Sequence, residues 1–122
     1  MQPQIVKANT LKEYLTPERC YIFENYSTNA VSVARARVKP GVTTKAHHLN
    51  GVQEIYIITK GTGKVTIGKL EATEVTEGDV VVIPPLTSQK ITNTGKDDLL
   101  FYCICTPRFT EQCYTNEEPE TP

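Results

Sequence analysis

The sequence predicts an all-β domain, a sandwich or a closed barrel, and three observations carry that expectation. Apolar residues alternate with polar ones along most segments instead of recurring at helical spacing. The apolar segments are short and rich in β-branched and aromatic residues. Glycine and proline turn signals stand between them from Pro40 to Pro107.

Taken in order, residues 31–38 read as a strand ended by the pair Pro40–Gly41. Residues 54–59 form a β-branched and aromatic strand that stops at Lys60 and Gly61, and residues 64–67 read as its hairpin partner. Residues 74–79 suggest a short strand entering a tight turn. The segment 80–83 is a continuous apolar run closed by Pro84–Pro85. Residues 89–92 precede the turn at Asn93 to Gly95, and residues 99–105 form the last long strand, closed by Thr106–Pro107. Residues 10–15 are the one helical candidate, one or two turns long, with Thr10 as cap and Glu13 at the capping-box position. The acidic, proline-bearing tail 116–122 has nothing to bury and is expected to be disordered.

A chain of 122 residues supports one domain with a real core, spanning 1–122, and leaves no room for two ordinary ones. A net charge of −1 gives no electrostatic case for nucleic acid or an anionic membrane. No apolar run has the length to span a bilayer, and the N-terminus lacks the basic start and apolar core of an export signal. The cytoplasm is the expected compartment. The four cysteines, Cys20, Cys103, Cys105 and Cys113, are then expected as free thiols. Cys103 and Cys105 share a strand face and read as small buried hydrophobes in preference to metal or redox groups.

Gly41, His47, Glu54 and Gly61 stand in a register that resembles the first motif of the cupin superfamily. That motif also carries a second histidine two residues after the first, and here the position holds Leu49. Gly78, Pro84 and Asn93 resemble the second cupin motif, with Leu86 at its glycine position and Gln89 at its histidine position. The resemblance covers about residues 30–107 and implies a double-stranded β-helix, or jelly-roll, barrel with a short N-terminal helical turn. It also implies a homodimer, since Ile5–Val6 and the stretch 20–23 need somewhere to pack.

In metal-bearing cupins the positions of His47, Leu49, Glu54 and Gln89 converge on one ion, so the resemblance implies a divalent metal on His47, Glu54 and Gln89. A nitrogen and two oxygen donors suit manganese, iron or weakly held zinc. Strand alternation turns His48 away, unless a bulge restores it as an alternative ligand. Without metal, His47 reads as a buried histidine hydrogen-bonded to Glu54. Glu54 is the candidate catalytic base, and Tyr56, on the same strand face, is a pocket candidate. Arg35 and Arg37 share one face of their strand. They clamp an anionic substrate if that face is interior, and are solvated or interface charges if it is exterior. The expected function is a small metal-binding cupin that binds or acts on a small molecule. The alternative is a non-catalytic ligand-binding cupin with a vestigial metal site.

Overall fold

A computed structural model describes residues 2–118. Two antiparallel sheets face each other. The first runs β1 (Tyr14–Leu15), β2 (Tyr21–Ser27), β3 (Ser32–Val38), β10 (Leu99–Thr106), β5 (Gln53–Lys60) and β8 (Val80–Ile83) in spatial order. The second runs β11 (Tyr114–Asn116), β4 (His47–Leu49), β9 (Gln89–Asn93), β6 (Thr62–Ile67) and β7 (Thr73–Thr76). Successive strands that alternate between sheets make this a jelly-roll barrel, the fold that the sequence predicted.

The core follows from strand alternation. Val38, Leu99, Ile91, Ile58 and Ile83 are essentially sealed from solvent. Each such side chain contributes roughly 1.5–3 kcal/mol on burial. Val65, Ile67, Val75, Val81 and Phe101 complete the same cluster.

Several local expectations need correction. Residues 10–15 do not form an α-helix. A single 3-10 turn spans Ala8–Thr10, and Tyr14 and Leu15 pair with Ile22 and Tyr21 as an edge strand. Glu13 does not cap a helix; Arg37 draws it outward, with Oε1 at 2.6 Å from a guanidinium nitrogen. Residues 64–67 are not the hairpin partner of β5, since β6 pairs with β7 and β9 in the opposite sheet. The corner between them falls at Gly61, with φ +89°, where an added Cβ would stand 2.9 Å from the Asp98 carbonyl oxygen. No larger residue fits that corner. The apolar run at β8 ends its sheet, and Val81 and Ile83 point inward while Val80 and Val82 are 57% and 56% exposed.

The described part of the tail is held. Asn116 pairs with His47, the Glu117 backbone N–H bonds the Ala46 carbonyl, and the Glu118 carboxylate accepts the Ala46 N–H. Residues 119–122 of the expected disordered tail lie outside the described residues. At the other motif departure, Leu86 adopts φ +66°. The turn keeps the left-handed geometry that favours glycine and places a leucine in it.

Candidate functional site

Register in the first sheet sets three inward rows side by side: Ser32–Cys105–Glu54, Ala34–Cys103–Tyr56 and Ala36–Phe101–Ile58. The β3 members are too small to reach the opposite sheet, so the barrel stays hollow above them. The result is a cavity of about 390 Å³, bounded by Glu18, Cys20, His47, Glu54, Tyr56 and Tyr114 among others. That volume lies in the range of small-molecule sites.

His47 enters from β4, opposite Gln89 in register, and is buried. Its Nδ1 lies 2.8 Å from the Lys45 carbonyl oxygen. A carbonyl only accepts, so Nδ1 carries a proton and Nε2 of the neutral ring presents a lone pair. That Nε2 faces Oε1 of Glu18 at 3.4 Å. The Tyr114 ring stacks on the imidazole, with centroids 4.9 Å apart and planes 27° apart, and fixes its tilt. Burial raises the Glu18 carboxyl, while His47, the Tyr114 hydroxyl and Cys20 work the other way.

Glu54 is buried as well, 7% exposed. Cys105 donates its S–H to Oε2 at 3.6 Å, and Oε1 has no partner. Burial drives the Glu54 carboxyl upward; the nearby Gln89 amide and His47 oppose this, and Glu18 adds to it. The Tyr56 hydroxyl donates to Gln89 Oε1, and Gln89 Nε2 is unpartnered. Burial also pushes the Cys20 thiol up to about 12 and raises Cys103 and Cys105. All three line the cavity as neutral thiols, and none is an activated nucleophile.

The residues singled out from sequence divide clearly. His47, Glu54 and Tyr56 line the cavity, while Gln89 stands behind Tyr56 in the barrel wall. No hydrogen bond joins His47 to Glu54; the imidazole faces Glu18 instead. His48 points outward, its Nδ1 2.7 Å from Glu117 Oε2. Arg35 and Arg37 are not pocket residues. They lie on the outer face of β3, paired with Glu13 and stacked over Phe23 and Tyr21 at 3.9 and 4.2 Å. Sequence reasoning missed Glu18, Cys20 and Tyr114. Glu18 sits in an irregular turn before Arg19, which has φ +76°, and Tyr114 belongs to a strand beyond both motifs.

The donor set does not fit a resident metal. Gln89 Oε1, the atom a cation would need, is engaged by the Tyr56 hydroxyl, and Leu49 fills the second-histidine position with an apolar side chain. Among the described residues, no three histidine, cysteine, aspartate or glutamate side chains converge in a metal-binding arrangement. Of the set expected from sequence, His47 and Glu54 alone are left, fewer than the three protein ligands that catalytic metal sites use.

Comparisons with known proteins agree with the architecture. An uncharacterized protein of Methanocaldococcus jannaschii is 34% identical over 107 residues, 84% of this chain and 85% of its own. The nucleoside dehydratase Pac13 of Streptomyces superposes with a TM-score of 0.79 at 15% identity, covering 94% of this chain and 91% of that one. KdgF from a Halomonas species gives 0.79 at 15% identity, covering 87% and 96%. A predicted oxalate decarboxylase of Thermotoga maritima gives 0.77 at 23%, covering 85% and 99%. At such identities these three establish the fold alone. The family profile described as Cupin domain matches residues 34–105, and the chain belongs to the cupin family.

Proposed function

We propose that the cavity binds a small organic molecule and moves a proton on it, with His47 and Glu18 as the transferring pair. The observation that carries this reading is the His47 Nε2 atom, buried in the cavity wall and facing Glu18 at 3.4 Å with its tautomer fixed by Lys45. Nε2 takes a proton from a substrate carbon or hydroxyl, and Glu18 stabilises the imidazolium. The electron pair left behind shifts within the substrate, and the imidazolium, after exchanging its proton with solvent, delivers one at a neighbouring atom or to a departing hydroxyl. This balance needs no oxidant or reductant, and it describes isomerisation or elimination of water. Glu54, buried on the cavity wall, holds the substrate's polar group by a hydrogen bond, and the base is His47. A dehydratase and its uridine complexes on the same fold support a small-molecule reading.

Compounds that raise the melting temperature of the wild-type chain but not of Ala34→Leu, in which the cavity is filled, identify cavity ligands. Incubated in D2O and followed by NMR, such ligands should gain deuterium or lose water with the wild type. His47→Gln should slow that by about a hundredfold, and His48→Gln should leave it intact. Turnover undiminished in His47→Gln refutes the assignment. Binding with no exchange at all would establish the non-catalytic alternative.

A homodimer is supported by exposed apolar groups at the edge of the first sheet, Tyr14 and Leu15, and by Ile5, which is 87% exposed. The stretch 20–23 gives no such support, since Cys20 and Phe23 are buried within the chain itself. Light scattering on the eluting protein tests this: a mass of one chain would exclude it.

A further inference from the structure

We propose that the cavity selects a cationic ligand, an organic ammonium on an apolar or aromatic body, and rejects carboxylates and phosphates. The proposal rests on the small-molecule reading above and narrows it to a charge class. Glu18, Glu24, Glu54 and Glu111 all line the cavity, and among the described residues His47 is its one nitrogen base and no lysine or arginine lines it. The nearest cations by sequence face elsewhere: Arg35 and Arg37 lie on the outer face of β3, and Arg19 reaches the Thr43 carbonyl and Glu118.

An anion entering this space would lose its hydration and meet no positive charge. An ammonium meets the reverse. The Glu54 side chain lines the cavity, and its buried Oε1 has no hydrogen-bond partner among the described residues, so it lacks the donor that an N–H would supply. A hydrogen bond between an ammonium and a carboxylate is among the stronger kinds. The gradient also runs inward. Glu24 and Glu111 are exposed beside Tyr14 at the cavity mouth, while Glu54 sits at depth. Acidic rim groups of this kind concentrate cations near the opening. Phe101, Phe109 and Tyr114 line the cavity and offer ring faces for the ligand body and its charge. The whole chain is close to neutral, at −1, so the asymmetry belongs to the cavity.

Three probes with one ring and different ends separate the possibilities: tyramine, tyrosol and 4-hydroxyphenylacetate, carrying an ammonium, a hydroxyl and a carboxylate. Titrated calorimetrically into the full chain after chelator treatment, they should bind in that order, with tyramine favoured over the carboxylate by at least about tenfold. Glu54→Gln should remove most of the tyramine preference and leave tyrosol little changed. Glu24→Gln, at an exposed position, should weaken tyramine by about twofold. Ala34→Leu should abolish all three. Tighter or equal binding of the carboxylate overturns the proposal, as does a tyramine preference that survives both glutamate substitutions. If tyrosol binds as well as tyramine, and Ala34→Leu removes both, the cavity reading stands and the charge selection falls. If none of the three gives heat that Ala34→Leu removes, both fall.

Discussion

Along β3 the inward side chains run Ser32, Ala34, Ala36, Val38, and along β10 they run Cys105, Cys103, Phe101, Leu99. On β5 the same progression reads Glu54, Tyr56, Ile58. One end of the barrel is thus filled with branched aliphatics at almost no exposure, while the other is lined by small, polar and ionisable groups around empty space. Both ends share the same strands and backbone hydrogen bonds. The difference teaches that stability and function are divided along the barrel axis, and that each strand serves both through alternate positions.

The largest expected effect lies at the filled end. Ile58→Ala should cost about 2–5 kcal/mol in urea denaturation, because a sealed site cannot collapse around the void. Cys103→Ala, one inward row toward the hollow end, should cost less than ~1 kcal/mol, since its thiol already borders a cavity. Equal losses at both positions would erase the contrast.

Filling the hollow end sharpens it. Ala34→Leu should abolish ligand binding while changing unfolding free energy by less than ~1 kcal/mol. A large destabilisation would mean that the space is closed in solution.

Carboxylates inside and outside the barrel should respond oppositely to pH. The raised Glu54 carboxyl favours the folded state fully below its ordinary value of 4.5, and that contribution is lost as pH rises through the higher folded value. Glu54→Gln should therefore match the wild type in acid and exceed it by ~1 kcal/mol, a few degrees in Tm, on the alkaline side. On the outer face, the hydrogen bond from Arg37 lowers the Glu13 carboxyl. Its contribution is present above 4.5 and lost as pH falls through the lower folded value. Glu13→Gln should cost at most ~1 kcal/mol at neutral pH, and the two proteins should converge in acid. Thermal unfolding across pH checks both.

Much of this division was legible in the sequence. Alternation in residues 31–38 and 99–105 marks the strands, and the motif register places His47 and Glu54 inward with His48 outward. What alternation does not specify is which strand lies beside which, so β6 reads as a hairpin partner of β5 although Gly61 turns the chain into the other sheet. It also gives two faces without saying which is inner. Arg35 and Arg37 could be placed only once Glu13 and the rings of Phe23 and Tyr21 were seen outside them. Glu18 was hidden for a different reason. It reaches His47 from an irregular turn, where no period links a residue's position to its direction.

Metal content tests the central claim most directly, because the hollow end is read as working through its own proton-carrying side chains. Protein purified without a histidine tag, incubated in turn with Mn²⁺, Fe²⁺ and Zn²⁺ and desalted, should retain no stoichiometric ion, and His47→Ala should match it. One ion per chain that is lost in His47→Ala and kept in His48→Ala would contradict the account and restore a metal centre at His47.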